Sequence, residues 1–244
     1  MIMRRAALLA ALLAPAIVGA ADLELAPTSI ELSNAARTAI VTLRNAGGTP
    51  MRYQLRAYAW AQKDDGEMQL TPTRDLVLFP PLLELAPGER RNVRVGTRVA
   101  PGDAERTWRV FIEEMPRGDD SAAAARVQVL TRIGVPVFLA PARRIARGEI
   151  AFLQRTGSRI RFAVRNTGTV RLRPTAITVA LVAAGGERLA EKALDAWYVL
   201  AGGERVYEAD VPADACARSA EAVATTSLEG GAIEARVADP CRAP

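Results

Sequence analysis

The sequence predicts an all-β protein made of two β-sandwich domains in tandem, and two observations carry this prediction. The first is an internal repeat: residues 43–47 (LRNAG) return as 164–168 (VRNTG), and residues 85–90 (LAPGER) return as 200–205 (LAGGER). Both displacements are about 120 residues, roughly the size of one sandwich and too long for a solenoid unit. The second is a series of short apolar segments separated by Gly, Pro and Asp.

Apolar runs and alternating segments give the positions of the strands, which turn residues separate. The predicted strands are residues 40–43, 53–60, 76–79, 92–95, 108–115 and 127–139 in the first half, and 160–164, 176–182 and 197–200 in the second. Along 53–60 every second side chain shares one face, as strand geometry requires. Asp64-Asp65-Gly66 predicts a hairpin turn after that strand.

The first twenty residues predict a secretory signal peptide rather than part of the fold. Two arginines precede an apolar run at residues 6–14, and small residues suit cleavage after Ala20 or Ala21. The run is too short to span a bilayer as a helix, although an N-terminal membrane anchor is the alternative. The two domains are then predicted at residues 22–141 and 148–244.

Composition narrows the chemistry of the mature chain. Without residues 1–20 the formal charge falls from +5 to +3, and the remaining arginines are spread along the chain. Nucleic-acid binding is not expected, because such sites combine basic patches with stacking aromatics and only 5% of the residues are aromatic. Cys216 and Cys241 predict a disulfide in an exported protein; a redox pair of free thiols would need a Cys-x-x-Cys spacing.

The sequence does not predict an enzyme. It contains no histidine, which removes the Ser-His-Asp and Cys-His triads and the commonest metal ligand. A Ser–Lys dyad would have to use Lys63 or Lys192, which both lie in charged segments. A glycosidase pair of carboxylates from distant strands stays open. We expect no metal, no cofactor and no small-molecule substrate.

The segment 127–139 is unusual in its length and its pattern. Its odd positions are apolar or threonine over about thirteen residues, whereas strands usually have about five or six. A polar, small-residue connection precedes it at residues 116–125. A long apolar strand beside such a loop suits β-augmentation, in which a strand joins the sheet of a partner. The alternative is a long core strand next to a long loop.

Seven short motifs in a fixed order carry a resemblance to a known family. They are 41–45 (VTLRN), 58–60 (YAW), 70–73 (LTPT), 79–81 (FPP), 85–88 (LAPG), 93–95 (VRV) and 134–138 (GVPVF). With these motifs the mature chain resembles the periplasmic pilus chaperones of the chaperone–usher pathway, the PapD-like proteins. Trp60 and the LTPT and GVPVF motifs are more similar to the archaic branch than to the classical one.

The resemblance implies a fold and a function. The fold would be two immunoglobulin-like β-sandwich domains in a boomerang arrangement. The protein would bind pilus subunits that lack their last strand, without ATP, and deliver them to an outer-membrane usher. Val127, Val129, Thr131 and Ile133 would fill the apolar groove of the subunit. Whether the free protein self-associates through the same strand stays open.

The resemblance also implies a site for the C-terminal carboxylate of the subunit, although the classical residues are missing. The classical arginine falls on Ser29, and the classical lysine falls near Gly134 or Pro136. The archaic branch has an arginine on the preceding strand, which Arg109 matches, and Arg132 is the second candidate. The alternative for both is an arginine on an ordinary strand surface.

Two other functions compete with the chaperone. A secreted structural or adhesive protein would carry a donor extension before its first strand, and here that strand begins close to the predicted cleavage position. A secreted hydrolase would need a pocket with two carboxylates about 5–10 Å apart.

Overall fold

A computed structural model describes residues 23–116, 129–156, 158–228 and 231–241. The predicted signal peptide at residues 1–20 lies outside the described residues. Strands form nearly all of the regular structure within these ranges, so the predicted all-β fold class is confirmed. No helix among the described residues is long and apolar enough to cross a membrane.

The first half folds into two sheets that face each other across an apolar core. Its strands are β1 (Leu23–Ala26), β2 (Ile30–Leu32), β3 (Thr38–Asn45), β4 (Met51–Gln62), β5 (Met68–Pro72), β6 (Leu76–Phe79), β7 (Leu82–Leu85), β8 (Arg90–Thr97), β9 (Arg106–Glu114) and β10 (Arg132–Leu139). One sheet has the order β1-β3-β8-β6, and the other has β2-β10-β9-β4-β5 with β7 beside β4. Leu43, Tyr53 and Trp108 are among the side chains buried between them.

The second half repeats this architecture with a separate core. Its elements are β11 (Gly148–Thr156), β12 (Arg159–Asn166), β13 (Pro174–Val182), β14 (Arg188–Leu194), β15 (Glu204–Asp210), α1 (Ala213–Arg218), β16 (Glu221–Leu228) and β17 (Gly231–Ala238). The sheets have the orders β11-β12-β15 and β14-β13-β16-β17. The change of sheets falls between β10 and β11, and the domain limits 22–141 and 148–244 stay predictions.

The predicted disulfide is present in the second half. Cys216 in α1 and Cys241 after β17 are bonded, with their Cα atoms 5.6 Å apart. The bond closes a loop with a sequence separation of 25, for which the chain-entropy model gives a stabilisation of about 3 kcal/mol. It therefore fixes the end of the chain to the second sandwich.

The repeated Arg-Asn-x-Gly motif has one structural role in both halves. Asn45 and Asn166 end β3 and β12, and both side chains are at most 2% exposed. Each amide nitrogen donates to two backbone carbonyls, and each amide oxygen accepts from the N–H two residues later. The carbonyl acceptors are those of Thr49 and Leu85 in the first half and of Val170 and Val199 in the second.

The second repeated motif is displaced by one residue in the structure. Positive φ falls on Gly88 (76°) and Gly202 (72°), although the letters align Gly88 with Gly203. Each of these two glycines is the third residue of a four-residue turn closed by a backbone hydrogen bond, where positive φ favours glycine. The structural equivalent of Leu85 is therefore Val199, one residue before the residue that the letters suggest.

Two predicted strands differ from the observed ones. The predicted strand 127–139 is shorter, since β10 begins at Arg132; residues 129–131 are not in a strand, and 127–128 lie outside the described residues. The reason is that the partner strand β9 ends at Glu114. The predicted strand 197–200 was wrong: a single bridge joins Leu172 to Val199, Val199 packs in the core of the second half, and Tyr198 and Leu200 pack against the first half.

The two halves contact each other through a charged cluster and through hydrogen bonds. Arg171 of the second half pairs with Glu105 and Glu31 of the first, and its guanidinium lies 3.4 Å from the centroid of the Phe138 ring. The side chains of Arg171 and Glu105 are 6% and 1% exposed. Near the β4–β5 hairpin, the Gln62 amide donates to the carbonyl of Tyr198. These contacts place residues of the second half beside the outer face of β4, β9 and β10.

Candidate functional site

One edge of β10 has no neighbouring strand over part of its length. On one side β10 pairs with β9 from Arg132 to Leu139, whereas on the other side β2 covers residues 137–139 only. The N–H of Glu114 donates to the carbonyl of Thr131, so the odd residues turn their backbone groups toward β9. The even residues turn theirs the other way. Residues 132–136 thus form a free edge among the described residues.

The free edge ends at Pro136. Proline has no N–H, and the backbone of Pro136 faces away from β9, where β2 takes over at the next residue. This position suits proline, because a missing donor on that side breaks no ladder hydrogen bond with β9. A strand added to the free edge can therefore pair only as far as this residue.

Of the predicted groove-filling residues only Ile133 lies in β10, on the side that faces the core. Val135, Val137 and Leu139 are at most 1% exposed in the first sandwich. Toward the start of the strand the same face leaves that core: Ile133 and Thr131 are half-buried, and Val129 is 85% exposed. Val127 lies outside the described residues. Val129 is thus an apolar side chain that is exposed and not packed in the core of the first sandwich.

Arg109 stands directly across from Pro136 in the β9–β10 register and is 8% exposed. Its guanidinium lies over the Trp60 ring, with Cζ 4.3 Å from the ring centroid. Nη1 donates to the carbonyl of Gly134 at 3.2 Å, whereas Nε and Nη2 have no hydrogen-bond partner among the described residues. Burial lowers the pKa of Arg109 from its usual value, and the electrostatic interaction with Tyr198 opposes the shift.

Arg132 also lies over an aromatic ring but differs from Arg109 in exposure and in having a carboxylate partner. Its side chain is 54% exposed, and its Nε lies 2.8 Å from a carboxylate oxygen of Glu113. Its guanidinium lies over the Phe111 ring at 3.9 Å from the centroid. Arg132 and the residue opposite Arg109 are four positions apart on β10, or about 13 Å. The structure therefore does not bring the two candidate anchors together.

An aromatic cluster beside Arg109 combines residues from both halves, and sequence reasoning missed it. Trp60, Phe138 and Leu200 are buried there, with Tyr198 partly buried against them. The Trp60 ring lies 6.0 Å from the Phe138 ring and 5.9 Å from the Tyr198 ring, measured between centroids. The sequence signal for Trp60 was only its place in the YAW motif. No pattern within either half shows that residues 198–200 cover it.

Comparison with solved structures shows the same fold in pilus chaperone complexes. A chain of the CsuC–CsuE chaperone–tip adhesion subunit pre-assembly complex, from archaic chaperone–usher Csu pili of Acinetobacter baumannii, matches with a TM-score of 0.62 at 17% identity, covering 87% of this chain and 97% of that one. The class 5 fimbriae chaperone CfaA matches with a TM-score of 0.60 at 13% identity, covering 88% and 98%.

A third solved structure has the same fold at similar sequence distance. It is a chain of the Salmonella enterica SafA pilin in complex with the SafB chaperone, with a TM-score of 0.57 at 14% identity, covering 88% of this chain and 96% of that one. These likenesses confirm the two-domain, immunoglobulin-like fold class that the sequence predicted.

Sequence comparison gives the family. No protein with a curated description matches this chain. The family model of the pili and flagellar-assembly chaperones, PapD N-terminal domain, matches residues 22–144, which is half of the chain. That segment contains the free edge of β10 as well as Arg109 and Trp60. The chain therefore belongs to the pili and flagellar-assembly chaperone family, as its motifs predicted.

Proposed function

We propose that this protein is a periplasmic chaperone that binds pilus subunits by donating β10 to their incomplete sheet and delivers them to an outer-membrane usher. One observation carries the proposal. The free edge of β10 ends at Pro136, directly across from a buried arginine that has two nitrogens without a partner among the residues that the structure describes. A strand paired along this edge would end where its terminal carboxylate could meet a cation.

The edge supplies both kinds of contact that strand addition needs. Arg132 and Gly134 turn backbone N–H groups to the unpaired side, which gives hydrogen bonds irrespective of sequence. Val129, Thr131 and Ile133 carry the core-facing side beyond the first sandwich, together with the predicted Val127. These side chains would fill an apolar groove of the subunit, which otherwise exposes an unpaired edge and apolar surface.

Arg109 is the better of the two candidate anchors for the carboxylate. A buried cation without a counter-ion is unfavourable, so an incoming carboxylate would relieve an existing cost. Its planar guanidinium can offer parallel N–H groups to both carboxylate oxygens. Arg132 is exposed and already paired with Glu113, and exposed ion pairs contribute little. Both unpartnered nitrogens of Arg109 are covered, so we expect neighbouring side chains to move when the subunit binds.

The relatives and the sequence support the rest of the proposal. The matched complexes contain a pilin or a tip adhesion subunit, as their descriptions state, and one comes from a chaperone–usher pathway. The predicted signal peptide would export the chain to the compartment in which such subunits are folded. The alternative of a secreted structural or adhesive protein is not favoured, because the family is one of chaperones.

Co-purification from the periplasm tests this proposal. We expect the tagged protein, co-expressed with the proteins encoded beside its gene, to be recovered in a one-to-one complex with a small β-rich subunit. We expect Arg109→Ala to abolish the complex, because the carboxylate loses its only charged partner, while the free protein keeps its circular dichroism spectrum. Arg132→Ala is the matched control and should give a normal yield.

The outcomes separate the function from the anchor. A partner-free wild-type protein would contradict the chaperone function. A complex that survives Arg109→Ala but is lost in Arg132→Ala would move the anchor to Arg132.

A further inference from the structure

Three buried N–H donors in one cluster lack acceptors among the described residues. They are Nε and Nη2 of Arg109 and Nε1 of Trp60. The two residues are 8% and 3% exposed, so water does not substitute for the missing acceptors at the protein surface. A buried donor without an acceptor is unfavourable, and more so when it is charged. A cluster of such donors therefore indicates a group that is bound in the functional state.

The geometry places these donors on two side chains in contact. The Arg109 guanidinium is stacked on the indole, with Cζ 4.3 Å from the ring centroid, so its N–H groups and that of Trp60 belong to adjacent side chains. The bond from Nη1 to the carbonyl of Gly134 fixes the orientation of the fork. The rings of Phe138 and Tyr198 pack against Trp60 and give apolar walls, one from each half of the protein. An anion inside these walls would be largely shielded from water.

We propose that the Trp60 indole N–H is a second donor to the bound carboxylate, so that Arg109 and Trp60 together hold the C-terminus of the subunit. The assignment to the subunit terminus rests on the proposed function, whereas the anion site itself does not. A carboxylate accepts several hydrogen bonds on its two oxygens, and an indole nitrogen donates only. Because the indole is neutral, one arginine and one carboxylate leave no net charge in the cluster.

Trp108 provides an internal control for this role. Its Nε1 already donates to a carboxylate oxygen of Asp75 at 3.2 Å, and the residue is 2% exposed. Trp197 is 41% exposed and provides a second reference. The sequence contains three tryptophans, so selective labelling with nitrogen-15 gives one indole resonance for each of them. The three resonances report a buried free donor, a buried satisfied donor and an exposed donor.

The first test is a titration of the free protein with acetate, observed through these indole resonances. We expect a saturable downfield shift of the Trp60 indole proton, no shift for Trp108, and loss of the Trp60 response in Arg109→Ala. A Trp60 resonance that stays in place at saturating acetate in the wild type would overturn the inference. This result does not require that any subunit has been identified.

The second test is the affinity of Trp60→Phe for the subunit. Phenylalanine keeps an aromatic ring under Arg109 but has no N–H, so we expect affinity to fall about tenfold, as for one hydrogen bond to a charged group. Trp197→Phe is the matched control and should bind like the wild type. A subunit whose C-terminus is amidated offers only a neutral acceptor, so the difference between Trp60→Phe and wild type should be smaller for it.

The outcomes separate this inference from the proposed function. If the wild type binds the subunit and Trp60→Phe binds it as tightly, only the role of Trp60 is wrong. If the wild type binds no subunit, the chaperone function is wrong, and the acetate titration still decides whether the anion site exists.

Discussion

Two buried asparagines show how single residues determine the ends of strands in both sandwiches. Asn45 and Asn166 each donate to two backbone carbonyls and accept from one backbone N–H. The side chain thereby connects the end of its own strand to the turn before the next paired strand. A short polar amide suits this position, since it offers donors and an acceptor from one planar group.

We expect Asn45→Ala and Asn166→Ala each to lower the free energy of unfolding by about 1–3 kcal/mol, because each removes three hydrogen bonds between a buried side chain and the backbone. Urea denaturation of the purified variants measures this. Asn92→Ala is the control: Asn92 is exposed and accepts one hydrogen bond from Thr42, so its effect should stay within about 0.5 kcal/mol. Equal losses at all three positions would contradict the structural role.

The sequence predicted that these asparagines matter but not what they do. Their motif returns in the second half, which was enough to indicate two related domains. The roles of Trp60 and of the residues at 198–200 could not be predicted, because their contacts join segments about 140 positions apart. Periodicity reports which face of a strand is buried, but it does not say which distant element buries it.

At the level of elements, the odd side chains of β10 and of the residues before it share one pattern but change from buried to exposed toward the N-terminal end of the strand. Its odd residues are fully buried at Val135 and Val137 and half-buried at Ile133, and Val129, three positions before the strand, is exposed. The alternation predicted the apolar face within β10, where Val135, Val137 and Leu139 are buried, and the groove-filling role of residues 127–133 stays a prediction. It overestimated the strand length, because pairing needs a partner and β9 stops at Glu114.

We expect Val129→Asp to weaken subunit binding by at least tenfold, since it places a charge in an apolar groove of the subunit. Leu130→Asp is a matched control on the opposite face, also partly exposed at 41%, and we expect a much smaller change. A competition assay, in which each variant displaces the wild-type protein from its isolated complex with the subunit, measures the affinities of both variants. A stronger effect at Leu130 would show that the other face of the strand enters the subunit.

At the level of the whole molecule, a buried ion cluster fixes one sandwich to the other. Arg171 pairs with Glu105, which is almost fully buried, and with the half-exposed Glu31, and it also lies over Phe138. Phe138 belongs to the aromatic cluster beside Arg109. The cluster therefore connects the placement of the second sandwich to the shape of the proposed carboxylate site.

We expect Arg171→Ala to lower the free energy of unfolding by about 3–5 kcal/mol, because it leaves the buried Glu105 carboxylate without its counter-ion. Thermal or urea denaturation measures the loss. Glu31→Gln is the control, since Glu31 is 50% exposed and its pair should contribute at most about 1 kcal/mol. A loss below about 1 kcal/mol for Arg171→Ala would mean that the cluster does not stabilise the junction.

The sequence predicted the all-β class and the two related sandwiches, because repeats and apolar alternation are local properties that folding preserves. It did not predict the side-chain contacts that join the two halves. Arg171, Glu105 and Glu31 lie in three separate segments without any shared motif, and only the packed structure brings their charges together.

Pro136 limits the positions that the strand of a partner can take along the free edge of β10. A strand paired with the free edge has no donor to meet at Pro136 and is blocked by β2 beyond it, so it cannot slide toward the second sandwich. If the last residue of that strand is held at Arg109, the position of every other residue along β10 is set by its distance in sequence from the C-terminus. A subunit lengthened by one residue would then present the wrong face at every position. The chaperone would in this way distinguish complete subunits from truncated or extended chains by the position of their C-terminus rather than by their sequence.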